Sequence, residues 1–346
     1  MPRTTLATAE QAPPETRTPL PYPNGWFALC HSASLRRGGV MTVSFHGQDV
    51  VVYRTQSGQV RAVRPYCPHL GAHLGYGGRV VGENLVCPFH GYTYGIDGQC
   101  IRTGTGHCPP PAAMLLSFHT CETYGNVFIW HHHQGVKPTW ELPVCDLSGF
   151  SRPATASQVM NGFVQDFPEN TCDTVHLRFV HEMDARYALS APVANGPLLE
   201  LTMSNFYGLG IEYRVTLHGL GLVLGEGWHR RLGVESKVIA TPVAHGPLRW
   251  ELAQMHVVRL AHPRMAPEFL RHTAASMLAI LGLQWGRRVT RNDIDIWNHR
   301  IYRARPILTP EDASFLAFRR WSRQFYPEGN ESIDEQIAPA TISDCR

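Results

Sequence analysis

Two short clusters of metal-ligand side chains stand near the start of the chain. Cys67-x-His69 and Cys87-x-x-His90 are separated by seventeen residues, and Gly71 and Gly91 follow them closely. Zinc ribbons also use paired hooks, so a zinc ion is one reading; zinc hooks, however, usually repeat C-x-x-C. Here each hook offers one thiolate and one imidazole. That suits a [2Fe–2S] cluster with two Cys on one iron and two His on the other, and neutral imidazoles raise its reduction potential. A second constellation lies in NTCDTVHLRFVH, where Asp173, His176 and His181 follow the order D-x2-H-x4-H. A step of five residues turns an ideal helix by about 500°, leaving the two rings about 140° apart. Either the helix ends near Phe179 or Val180, or the two histidines are unrelated.

The elements that must position these groups are legible in outline. The 346 residues carry a formal charge of +3, 43% hydrophobic and 17% charged residues, which describes a folded protein with room for two domains. With no Lys/Arg block, nucleic acid is not an expected partner. No uncharged apolar run reaches the ~20 residues of a membrane span, and no signal peptide is evident. Ala274–Gly286, the longest candidate, reads as a core helix. Nine cysteines at irregular spacings are not a disulfide framework and fit a reducing cytoplasm. Cys30, Cys100, Cys108, Cys121, Cys145, Cys172 and Cys345 read as incidental thiols.

Residues 1–20 and 331–346 read as loose tails. Short strand-like runs broken by glycine fill the first part, a β-domain assigned to 21–145; His131–His133 ends one of its strands. A Pro/Gly-punctuated link follows, and 146–330 form the second domain. It opens with a helical stretch in which Asp166 and Glu169 have capping-box spacing. Residues 195–262 return to strands. Within them GLGLVLGEG (Gly219–Gly227) reads as hairpin or pocket lining, not as a dinucleotide fingerprint. Residues 267–302 read as a helix with Leu278, Leu281, Trp285 and Val289 on its apolar stripe, and 312–326 as a final helix.

The full spacing C-x-H-x17-C-x2-H resembles the Rieske family. The respiratory-complex branch is similar to C-x-H-L-G-C and C-P-C-H-G-S, but Ala72 and Phe89 stand at its extra cysteines and Tyr92 at its serine, with Tyr94 at the second matching hydroxyl. A potential low in the ~−150 to +300 mV Rieske range is expected. PYPNGWF, FPENTCDTVHLRFVH and DIDIWNHR…FRRWSRQFY extend the likeness over roughly 21–327. They resemble the alpha-subunit type of Rieske non-haem iron oxygenase, most of all the Neverland-type cholesterol 7-desaturase branch near the ketosteroid hydroxylases and aminopyrrolnitrin oxygenase.

That resemblance implies an α+β fold: an all-β Rieske [2Fe–2S] domain, then a catalytic domain with a central antiparallel sheet flanked by helices (helix-grip, START-like). It implies Cys67, His69, Cys87 and His90 as cluster ligands. His176 and His181 become ligands of a mononuclear Fe(II), completed by Asp293, with Asp295 as runner-up. Asp173 becomes a catalytic carboxylate linking His176 to His90 of a neighbouring subunit. Two His and one carboxylate leave open positions for O2. The branch hydroxylates, desaturates or N-oxygenates, and the expected substrate is an apolar, ring-containing small molecule. NAD(P)H and flavin belong to partner proteins, a ferredoxin and/or flavin reductase, and a homotrimer is implied. The animal sterol enzymes carry an N-terminal membrane segment and this sequence shows none, so a bacterial, cytoplasmic enzyme is expected. The competing reading is a Rieske electron carrier without oxygenase activity.

Overall fold

The computed structural model describes residues 17–182, 188–206, 208–261 and 267–327. The expected tails fall outside these except for 17–20, where Arg17 donates to the backbone oxygens of Trp297 and Asn298.

Three small antiparallel sheets build the N-terminal part. One joins Gly25–His31, Asn126–His131 and Thr120–Thr123; a second joins Val40–Phe45, Gln48–Arg54, Val60–Val63 and Ser117–Phe118. The third joins Arg79–Val81, Asn84–Val86, Thr93–Tyr94 and Cys100–Arg102. Both metal hooks hang from this third sheet. One loop precedes its first strand, and the other connects its second strand to its third.

The C-terminal part is an eight-stranded antiparallel sheet. Its path runs through Ala154–Asn161, Arg249–Leu260, Val234–Gly246, Leu222–His229, Ile211–His218, Leu198–Phe206 and Ala188–Leu189, with Val193–Asn195 also paired to Leu198–Phe206. Alternation sets which side is buried: Leu199, Leu201 and Met203 point inward, while Glu200 and Thr202 point outward. Helices α1 (Asp166–Asn170), α2 (Thr174–Phe179), α3 (Glu268–His299) and α4 (Ala313–Ser322) complete the domain.

Two local expectations need correction, while a third holds: Gly219–Gly227 makes the hairpin that joins Ile211–His218 to its antiparallel neighbour Leu222–His229. Gly225 serves close packing there, since a Cβ would stand 1.9 Å from the Tyr213 hydroxyl. On α3 the buried side is Ala275, Ala279, Leu283, Asp293 and Trp297. Leu278, Leu281 and Trp285 are 41–59% exposed, so Ala274–Gly286 is not a fully buried core helix. Small alanines let the helix lie close against Ala154 and Val258 of the sheet; bulkier leucines there would hold it away. Asp166 and Glu169 do not form a capping box, because Gln165 is the N-cap and its side chain makes no capping bond. Both carboxylates are buried beside Arg300 and Arg319, and a buried charge is held by pairing before it can serve as a cap.

The two parts share one core. Trp26, Phe128 and Trp130 from the N-terminal sheets pack against Leu222, Leu224, Met255 and Val257 of the large sheet. The backbone N–H groups of His46 and Gly47 donate to the carbonyls of Ala244 (2.8 Å) and His245 (2.9 Å).

Candidate metal centres and substrate cavity

The two hooks fold as near-copies. Gly71 N–H donates to the Cys67 carbonyl and Gly91 N–H to the Cys87 carbonyl; Cys67 N–H donates to Ala72 and Cys87 N–H to Tyr92. Each turn closes on a glycine in the left-handed region, φ 72° at Gly71 and 65° at Gly91, which explains glycine at those places. Both cysteines are buried, whereas His69 and His90 are exposed, their ring centroids 4.8 Å apart. The cysteine sulfurs therefore lie inside and the imidazoles at the rim. The Tyr94 hydroxyl sits 2.9 Å from Cys67 Sγ. Burial, the first cause, and the neighbouring Cys67 push its pKa far up, so it stays protonated and donates to the sulfur. Tyr92 stacks on His69 at 4.3 Å. Among the described residues, the four hook ligands are not a set whose donor atoms converge within 4.8 Å. A single tetrahedral ion would need that convergence; a bridged pair of irons would not.

The second constellation converges. Asp173 caps α2, its Oδ1 accepting from His176 N–H at 2.9 Å, and α2 ends at Phe179 with Val180 N–H returning to the His176 carbonyl. That break lets His181 turn back. His176 Nε2 and His181 Nε2 are 3.0 Å apart, and Asp293 Oδ1 on the inner side of α3 is 3.2 and 3.4 Å from them. Asp295, two residues on, is exposed and takes no part.

This donor set fits a mononuclear iron. Ligands at right angles on an ion, with bonds near 2.1 Å, stand about 3.0 Å apart. Asp293 Oδ1 is buried yet accepts no hydrogen bond, although it is close to both imidazoles. Burial pushes the Asp293 carboxyl up, but the two imidazoles outweigh this and hold it below the usual range. Beneath the triad, Glu169 is buried and bonded to Arg319, Arg300 and Gln165. Burial opposes its charge, yet the two guanidiniums overcome this and lower its pKa to about 2.

A cavity of about 180 Å³ opens from the triad between α3 and the sheet. Phe206, Tyr213, Val223 and Trp285 give it apolar walls; Gln254 and His256 interrupt them. Of His218, His229, His245 and His256 on the central strands, only His256 lines this cavity among the described residues. His245 instead pairs with Glu251 at 2.8 Å. Sequence reasoning missed Tyr213 and Gln254. The available signal was a polar pair at alternate positions inside the otherwise apolar inward register of Arg249–Leu260.

Comparison with known proteins agrees with this architecture. Residues 25–114 match the Rieske [2Fe-2S] domain, and residues 129–326 match the 3-ketosteroid 9alpha-hydroxylase C-terminal domain. The chain is 30% identical to Xenopus laevis cholesterol 7-desaturase nvd over 91% of its own length and 74% of that protein. It is 24% identical to the probable oxygenase component of 3-ketosteroid-9-alpha-monooxygenase of Rhodococcus rhodochrous, over 91% and 83%. Pseudomonas putida CBB5 NdmA, as a mutant with caffeine, shares the fold at a TM-score of 0.70 with 17% identity, covering 93% of this chain and 97% of that one.

Two stacked modules, one bearing the Rieske hooks and one a His–His–Asp triad on an apolar cavity, define an O2-using oxidoreductase with a [2Fe–2S] cluster and a mononuclear iron. The chain belongs to the Rieske non-haem iron oxygenases, in the branch of the ketosteroid hydroxylases and the cholesterol 7-desaturases. No helix among the described residues is long and apolar enough to cross a membrane.

Proposed function

We propose that this oxygenase hydroxylates or desaturates a sterol-like, mostly apolar polycyclic molecule, with electrons drawn from a separate NAD(P)H-dependent reductase or ferredoxin. N-oxygenation of an amine is the third outcome open to the same chemistry. The observation that carries the reading is the triad in the wall of a mostly apolar cavity. An electron carrier has no use for such a cavity. Cys67, His69, Cys87 and His90 would hold the cluster, and His176, His181 and Asp293 the mononuclear iron. The oxygen activation that a ferrous ion supplies when bound would then occur beside the substrate.

The chain's own side chains do the rest. Phe206, Val223 and Trp285 exclude water and hold a ring system against the triad end. The Cys67–Tyr94 contact stabilises the reduced cluster. Asp173, half-buried at the start of α2, would link His176 to the exposed His90 of a neighbouring subunit in a homotrimer, giving electrons a hydrogen-bonded route. The likeness to the sterol and ketosteroid enzymes supports the substrate class. Eight cysteines are free among the described residues, which supports a cytoplasmic setting.

Iron analysis and oxygen uptake test this. The loaded protein should hold two cluster irons plus one mononuclear iron per chain. With a compatible reductase it should consume O2 in the presence of a sterol or 3-ketosteroid. Fully loaded protein with two irons per chain and no uptake on any polycyclic substrate would return the electron-carrier reading.

A further inference from the structure

We propose that His256 is the polar anchor of the substrate cavity, donating to a carbonyl oxygen, or donating to or accepting from a hydroxyl, placed on the substrate far from the carbon that reacts. This rests on the oxygenase reading and adds to it the class of group that the far end of the cavity recognises.

Three observations converge on this side chain. First, buried polar atoms without a hydrogen-bond partner occur at three residues lining the cavity, among the described residues: Asp293 Oδ1, His181 Nδ1 and His256 Nε2. The first two belong to the triad, where an ion bound between Asp293 Oδ1 and the two Nε2 atoms accounts for the carboxylate oxygen, though not for His181 Nδ1. His256 is not part of it. A buried imidazole nitrogen with nothing to bond is unfavourable unless a ligand completes it.

Second, the inward register of Arg249–Leu260 is Trp250, Leu252, Gln254, His256 and Val258, all buried. The two polar members are those that line the cavity. Their placement is not explained by packing, which the flanking apolar residues satisfy.

Third, α3 is shaped to receive the ring. A Cβ on Gly282 would come within 3.2 Å of His256 Nδ1, and one on Gly286 within 3.4 Å of Cε1 and 3.5 Å of Nε2. The imidazole lies against two glycines spaced one turn apart in a helix, where glycine is otherwise unfavourable. Burial lowers its pKa to about 4, so at neutral pH it is an uncharged imidazole. A neutral ring offers one N–H and one lone pair, enough for a hydroxyl or a carbonyl oxygen, and brings no charge to offset that of a carboxylate.

The spacing sets the shape of the ligand. Gly286, beside His256, is seven residues before Asp293 on α3, about 10 Å along the axis. A molecule that reaches both must be elongated, with its oxygen at the end opposite the reacting carbon. The rest of the lining is mostly apolar, with Gln254, Tyr213 and Thr290 among its other polar side chains.

Equilibrium dialysis of the iron-loaded protein against the 3-keto, 3β-hydroxy and 3-deoxy forms of one androstane tests the anchor without turnover. At least one oxygenated form should bind about tenfold or more tighter than the deoxy form. His256→Leu should bring that ratio close to one, and His256→Gln should restore part of it. The Tm of ligand-free His256→Leu should equal or exceed that of the parent, because an unpaired buried nitrogen is removed. A drop in Tm would instead assign the ring a structural partner and overturn the anchor. So would a preference that survives in His256→Leu, or equal binding, or no binding, of all three probes by the parent. These outcomes leave the oxygenase reading to its own test of iron content and O2 uptake.

Discussion

The two metal regions are built by opposite strategies. The cluster hooks lie within 24 residues of one another, Cys67 to His90, on two turns of the same small sheet. Each turn is closed by its own backbone bonds and a left-handed glycine, so ligand placement is local. The triad joins a broken helix to a helix more than a hundred residues downstream, and nothing local holds Asp293 against the two histidines. Its placement depends on the close fit of α3 on the sheet and on the buried Glu169 clamp under α1. The exposure differs in the same sense: His69 and His90 stand at the surface, where a partner can reach them, while the triad faces a mostly apolar cavity. A relay needs access and a reactive centre needs exclusion, and the fold supplies each where it belongs.

The hardest blow to that comparison comes from His176→Ala. It should abolish turnover, a loss beyond the ~10–100-fold of outer-shell changes, while the visible spectrum of the cluster is unchanged. A damaged cluster spectrum would mean that the two regions are not independently built. Next, Glu169→Gln should destabilise the protein by about 3–5 kcal/mol, read from denaturant midpoints, because Arg300 and Arg319 lose their buried partner. The sign with pH follows. The free carboxyl titrates near 4.5 and the folded one at about 2, so the stabilisation is complete above pH 4.5 and vanishes as pH falls toward 2. The gap between parent and variant should close over that window.

Asp173→Asn separates two roles. Asparagine caps a helix as well as aspartate, so stability and both iron contents should hold. Activity should fall roughly 10–100-fold if the carboxylate carries electrons to His176. Unchanged single-turnover reduction of the triad iron would reduce Asp173 to a cap. The smallest effect belongs to the cluster alone: Tyr94→Phe removes one hydrogen bond to Cys67 and should lower the reduction potential by about 20–60 mV, the equivalent of one such bond. Turnover-linked iron at the triad should not change.

Both ligand hooks were readable from spacing, because two-residue and three-residue hooks with following glycines encode their own turns. The break in α2 was readable too, from a five-residue histidine step that no continuous helix can bring to one ion. Less was legible where two distant surfaces meet. The apolar stripe on α3 pointed to Leu278, Leu281 and Trp285, yet the alanine side packs on the sheet. Periodicity reports that a helix has two faces; side-chain volume at the contact decides which one goes in. The Asp166–Glu169 spacing suggested a cap, but two arginines from far along the chain claim both carboxylates.

By itself, then, the sequence determined the two glycine-closed turns that carry the Cys/His hooks, the order of the two modules and the choice posed by the five-residue histidine step, a broken helix or two unrelated histidines, since all of these are set by neighbours along the chain. Only the tertiary structure decided that Asp293 and not Asp295 meets those histidines, that Gly225 yields its space to Tyr213, and that His256 looks into the cavity. These outcomes depend on how far α3 can approach the sheet, a matter of close packing between segments that share no local code.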